Sequence, residues 1–230
     1  MQNYNNDKFY RIIDNTQSNY ANQLKRLTSA NKRANFILIY YSVALIVYSL
    51  SVKYFPKILN ENVTSYANII LSIIVLIYSI VNGNSRYSER ISSVQVGLNR
   101  MKTLKRELGT EKDLSEIRKE YDEIVNKIEV RDDVDFFFTI THLCKQYNLS
   151  RFSGKDKTDR NGTLPPPPDD RGDIEIVKSE IRGYISEIHP YTTWIGILLL
   201  HVWHFLLYIA PVLIFIFCIC SNLPCFFGLQ

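Results

Sequence analysis

Residues 34–55, ANFILIYYSVALIVYSLSVKYF, and 66–82, YANIILSIIVLIYSIVN, are two apolar stretches a short loop apart. As helix, each is long enough to cross a hydrocarbon core about 30 Å thick, which takes roughly 17 to 25 residues. The pair reads as a transmembrane helical hairpin. Lys25, Arg26, Lys32 and Arg33 precede the first span, and Arg86, Arg90, Arg100, Lys102, Lys105 and Arg106 follow the second. The connection holds only Lys53, Lys57 and Glu61. Basic residues stay on the cytoplasmic side, so the expected topology puts residues 1–33 and the chain after residue 82 in the cytoplasm and the Pro56 loop outside. The first thirty residues are polar and give no sign of a signal peptide.

A third apolar stretch, 191–220, contains Ile197-Leu198-Leu199-Leu200 and Val212-Leu213-Ile214-Phe215-Ile216-Phe217. With Lys178 and Arg182 upstream and an uncharged tail at 221–230, it reads as a third span delivering the C-terminus outside. Pro211 would kink it, because proline removes a backbone donor and clashes one turn back. Pro211, His201, His204 and the aromatic density leave a re-entrant segment as the alternative. The fold class is therefore all-α: a membrane hairpin, a cytoplasmic helical or coiled-coil region at 83–150, and a third C-terminal transmembrane helix.

Whole-chain averages hide this pattern, since the mean hydropathy is only −0.09. The net charge of +4 is accounted for by membrane flanks beside anionic headgroups, and no direct nucleic-acid binding is expected. Four cysteines are too few for a disulfide scaffold. Cys144 falls in the cytoplasmic part, whereas Cys218, Cys220 and Cys225 cluster at the outer end, where a disulfide or lipid-facing packing are the two readings.

Outside the spans, a helix is expected from Asp7 to Arg33 with Phe9, Ile12, Ile13, Tyr20, Leu24 and Leu27 on one side. Ile91, Val94, Leu98, Met101 and Leu108 recur at coiled-coil spacing, with Lys105 in the skipped position. After a break at Gly109-Thr110 the pattern resumes with Leu114, Ile117, Tyr121, Ile124 and Ile128. This seam either folds on itself or joins subunits of a homo-oligomer. Asp132, Asp133 and Asp135 open a further helix, where capping explains acidic residues better than a metal site does. Residues 151–172, with Pro165 to Pro168, read as a disordered linker. Residues 173–190 read as an amphipathic helix able to lie on the membrane surface.

On a helical wheel the spans carry narrow polar stripes. Asn68, Ser72, Ser79 and Asn82 fall within about 80° on the second span, and Arg86 continues the line. Asn31, Asn35, Ser42, Ser49 and Lys53 fall within about 40° on the first. Polar groups facing lipid are costly, so the stripes either pack against another helix or line water. The second reading makes the Asn and Ser residues pore-lining, with Lys53 and Arg86 at the mouths. No catalytic, cofactor-binding or metal-binding residues are expected: no Gly-rich phosphate loop, HExxH, nucleophile elbow or paired CxxC is present, and His201 and His204 lack a third ligand on their helix.

An N-terminal helix rich in Tyr, Asn and Arg, two spans with a short loop, the segment Asn84-Ser85-Arg86-Tyr87-Ser88-Glu89-Arg90 and the segment Arg131-Asp132-Asp133-Val134-Asp135-Phe136 together resemble the SLATT family over roughly residues 7 to 150. That resemblance implies a bacterial inner-membrane effector of antiphage defence, working alongside a reverse transcriptase or nucleotidyltransferase. Such effectors are proposed to form oligomeric pores and to cause abortive infection. A membrane-anchored scaffold for a soluble enzyme is the alternative. The apolar stretch at 191–220 departs from the two-span pattern.

Overall fold

The computed structural model describes residues 2–55, 61–108, 113–157 and 174–220. They form seven helices: α1 Gln2–Tyr54, α2 Glu61–Asn84, α3 Tyr87–Glu107, α4 Leu114–Lys127, α5 Asp133–Gln146, α6 Ile174–Ile188 and α7 Pro190–Cys220. Three of the helical segments are long and apolar enough to cross a membrane, in agreement with the all-α membrane fold read from sequence. The chain divides into two compact units, residues 1–28 with 88–198, and residues 29–87 with 199–230.

α1 belongs to both units. No helix end separates the N-terminal helix expected to residue 33 from the first span, because 53 residues run as one helix with no proline or glycine to stop it. Its covered positions recur at gaps of three, four or seven residues within each unit, Phe9, Ile13, Tyr20, Gln23 and Leu27 in the first and Ile37, Tyr41 and Tyr48 in the second.

In the first unit the other helices pack around α1. Tyr121 of α4 meets Thr16 by an oxygen–oxygen hydrogen bond of 2.9 Å and stacks edge-on against Phe9. Lys105 of α3 pairs with Asp14 and lies over the Tyr10 ring. Arg11 reaches Glu180 of α6 at 3.8 Å. Between α3 and α4, Arg90 and Glu129 form a paired ion contact at 2.6 and 2.7 Å. Gly97 is buried there, since a Cβ would fall 1.9 Å from the Ile128 Cδ1 atom.

This packing covers the seam within the chain and moves one of its positions. Val94, Leu98, Met101, Ile117, Ile124 and Ile128 are buried inside a single copy, and Ile91, Leu114 and Tyr121 are partly covered. The seam closes on its own chain, one of the two arrangements its spacing allowed. Leu104, at 1% exposure, fills the position assigned to Lys105, whose charge turns toward α1.

α6 is amphipathic as expected, and its apolar side, Val177, Ile181 and Ile185, is buried against Phe136, Ile140, Cys144, Tyr147 and Leu149, while Ile174 and Ile176 stay exposed. Residues 151–157, expected to begin the linker, instead form a tight turn: Ser150 N–H donates to Lys155, Gly154 to Ser150 and Lys157 to Asn148 at 2.7–2.8 Å. Gly154 takes φ +64°, in the left-handed region glycine enters without strain. The proline run, the Gly109-Thr110 break, the Pro56 loop and Cys225 lie outside the described residues.

In the second unit α7 packs on the hairpin, and Pro211 explains how. Proline cannot donate to the carbonyl four residues back, which leaves Leu207 O without its helical partner. Tyr41 of α1 supplies the missing donor, its hydroxyl lying 2.9 Å from Leu207 O. Tyr40 donates to Tyr208 O at 3.1 Å and Tyr48 to Pro211 O. In a medium without water such a carbonyl needs an internal donor, so Tyr41 makes the proline-containing helix compatible with lipid. Ile37, Ala67, Leu71 and Cys218 complete this core.

Candidate pore wall and the Arg26 clasp

The polar stripes lie beside the surfaces that α1 and α2 use to hold α7. Asn35, Ser42, Ser49, Ser72 and Ser79 are exposed, and Asn68 and Asn82 partly covered. The two stripes meet at one rung, where the Asn82 amide donates to Asn35 Oδ1 at 2.9 Å and the Asn35 amide donates to Asn31 Oδ1 at 3.3 Å. Ser42 and Ser72 return their hydroxyls to Leu38 O and Asn68 O, each at 2.8 Å. The Asn68 side-chain oxygen is buried with no partner among the described residues. Amides and hydroxyls therefore run along one flank of the hairpin, partly quenched by their own helices.

The charged ends behave differently. Lys53 is exposed in the last turn of α1. Arg86 is exposed but off the α2 line, because φ +44° at this residue turns the chain between α2 and α3. The wheel that carried the stripe on to Arg86 assumed a continuous helix.

Within the first unit, the Arg131–Phe136 segment binds α5 to α1. Asp132 caps α5, accepting from Val134 N–H, and Asp135 returns a bond to the Asp132 N–H, closing a capping box. Asp135 is fully buried and takes a two-pronged bond from Arg26, both contacts at 2.9 Å. That hydrogen bond, together with the charges of Asp135, Asp132 and Glu129, raises the Arg26 pKa above its ordinary value. Asn22 donates to Thr139 Oγ1 at 3.0 Å, and the Arg131 guanidinium lies 3.8 Å from the Phe136 ring centre. Asp132 and Asp135 are thus committed to capping and pairing, and Asp133 is exposed in the first turn of α5. Among the described residues no group of three or more His, Cys, Asp or Glu is arranged to hold a metal ion.

Two features had weak signals in the sequence. The tyrosine donors occupy apolar stretches, and only their recurrence at residues 41 and 48, with a proline elsewhere, hinted at pairing. The Arg26–Asp135 clasp joins residues 109 positions apart, and Arg26 reads locally as one more membrane-flanking cation.

A helical unit on one long helix, together with three apolar helices long enough to cross a membrane, two of them carrying a polar flank, defines a helical membrane protein. Neither curated proteins nor solved structures gave a match. The chain belongs to the SMODS and SLOG-associating 2TM effector domain family 5, which matches residues 3–165. It is a membrane effector domain of defence systems, and α6 and α7 lie beyond the matched residues.

Proposed function

We propose that the chain is a pore-forming effector of bacterial antiphage defence that assembles with copies of itself in the inner membrane and dissipates the membrane potential, ending in abortive infection. The observation that carries the reading is the polar flank of α1 and α2, exposed beside a surface already occupied by α7. Exposed hydroxyls and amides favour water or another helix over lipid. Their bonds to their own helices and to each other let a lone copy rest in the bilayer at reduced cost, which suits a dormant state. Assembly would turn the same groups toward a common water-filled path, with Asn35, Ser42, Ser49, Ser72 and Ser79 along it.

The first unit would lie in the cytoplasm, the side favoured by the basic residues at its ends, and receive the signal from an associated reverse transcriptase or nucleotidyltransferase. Contact between copies would come from the spans, since the apolar seam of α3 and α4 is used internally. The scaffold alternative loses its docking stripe for the same reason.

The test is membrane potential and dye entry on triggered expression. Wild type should depolarise cells, and Ser72→Leu with Ser79→Leu should not, at equal membrane abundance. Undiminished leakage in the double variant would remove these serines from the path.

A further inference from the structure

The third span lacks the flank that a membrane helix ordinarily carries. From Pro190 to Cys220 there is no Asp, Glu, Lys or Arg, and between Arg182 and Pro190 the only charge is Glu187. The nearest upstream cations are engaged: Lys178 and Arg182 hold Asp156 at 2.7 and 3.0 Å. Lys178 also meets Glu175 at 3.6 Å, so the two cations face two carboxylates, and Lys178 beside Asp156 keeps that carboxyl below the usual carboxylate range.

The folded chain brings other cations to the same place. The turn at 151–157 carries Arg151, Lys155 and Lys157, all exposed, none in an ion pair among the described residues. Its Phe152 ring stacks on Tyr191 in the first turn of α7, ring centres 4.7 Å apart and planes within 20°, and Arg151 lies over Phe152 at 4.7 Å. Arg182 fastens the other side of the turn by donating to Gly154 O at 3.2 Å. At 31 residues α7 is about 46 Å long, more than the hydrocarbon core needs, so its first turns fall at headgroup depth. Tyr191 and Trp194, exposed there, are the residue types that settle at that level.

We propose that this turn is a binding surface for anionic phospholipid headgroups, in which Arg151, Lys155 and Lys157 supply the positive flank of the third span from 33 or more residues upstream. The Phe152–Tyr191 stack holds them at the helix entrance. A bilayer surface is favoured over a free anion because the cations are exposed and sit beside aromatic residues at headgroup depth. The assignment rests on α7 spanning the bilayer, not on pore formation.

The test uses the full chain in proteoliposomes with spin-labelled phosphatidylglycerol or phosphatidylcholine in both leaflets, so orientation does not affect the outcome. Wild type should immobilise the anionic lipid in preference. The triple variant Arg151→Gln, Lys155→Gln, Lys157→Gln should reduce that preference at least about threefold, against about fivefold for one fully effective cation. Phe152→Ala keeps every charge and should also reduce it. All substituted side chains except Phe152 are exposed, and unchanged helix content would confirm folding. Unchanged preference in either variant, or its loss to added inorganic phosphate at constant ionic strength, would overturn the assignment. Leakage measured in the same vesicles reports on the pore independently.

Discussion

Arg26 and Asp135 form a pair whose members are not equivalent. Asp135 has no access to water, while the Arg26 side chain keeps 29% exposure. Removing the arginine strands a buried carboxylate that can no longer be compensated, at about 3–5 kcal/mol. Removing the carboxylate leaves a guanidinium that can turn to solvent, at about 1–2 kcal/mol. Arg26→Gln should therefore destabilise the first unit clearly more than Asp135→Asn, although both break the same bonds. Cys144 gives the readout: it is 1% exposed in the α5–α6 core, and burial pushes its thiol up to about 11. With the other cysteines changed to Ser, alkylation of Cys144 at pH 8 should be slow in the parent, faster in Asp135→Asn and fastest in Arg26→Gln. The reverse order would mean that the carboxylate is not the buried partner.

Among the elements, α7 was legible as a span but not in its attachment. Length and composition suffice for a third apolar helix; what Pro211 leaves behind is a carbonyl, and its donor lies 166 residues away. The same division holds for α3 and α4, whose spacing marked apolar faces correctly yet did not say whether the partner was another copy or α1. Periodicity describes a face, whereas the identity of its cover is a tertiary fact. The covered side of α1 was read from apolar residues alone, because Asn19 and Gln23 look like surface residues although they are 2% and 0% exposed. The tyrosine attachment makes a quantitative prediction. Tyr41→Phe leaves Leu207 O unsatisfied only while residue 211 is proline, since Pro211→Ala restores the backbone donor. A double-mutant cycle in bicelles should give a coupling of about 0.6–1.7 kcal/mol, the range for hydrogen bonds between membrane helices. Additive effects would mean that Tyr41 acts by ring packing alone.

At the scale of the molecule, α1 is shared by both units, passing between them at Thr28 and Ser29 without a break. A rigid rod and a tether make opposite predictions about insertions there. Each added alanine advances a helix by about 100° and 1.5 Å, so one residue turns the polar flank well away from its setting relative to the Arg26 clasp. Seven residues return it to within about 20° while lengthening the rod by about 10 Å. If a signal in the first unit reaches the spans through the rotational register of α1, one alanine should abolish triggered leakage and seven should largely restore it. A tether would respond to length alone, so seven would be at least as harmful as one. The comparison needs both units intact, which Cys144 protection reports for the first and the Tyr41–Pro211 coupling for the second. With both preserved, triggered leakage that survives one insertion but fails with seven would exclude register as the link, and leakage surviving both would exclude α1 as the conduit.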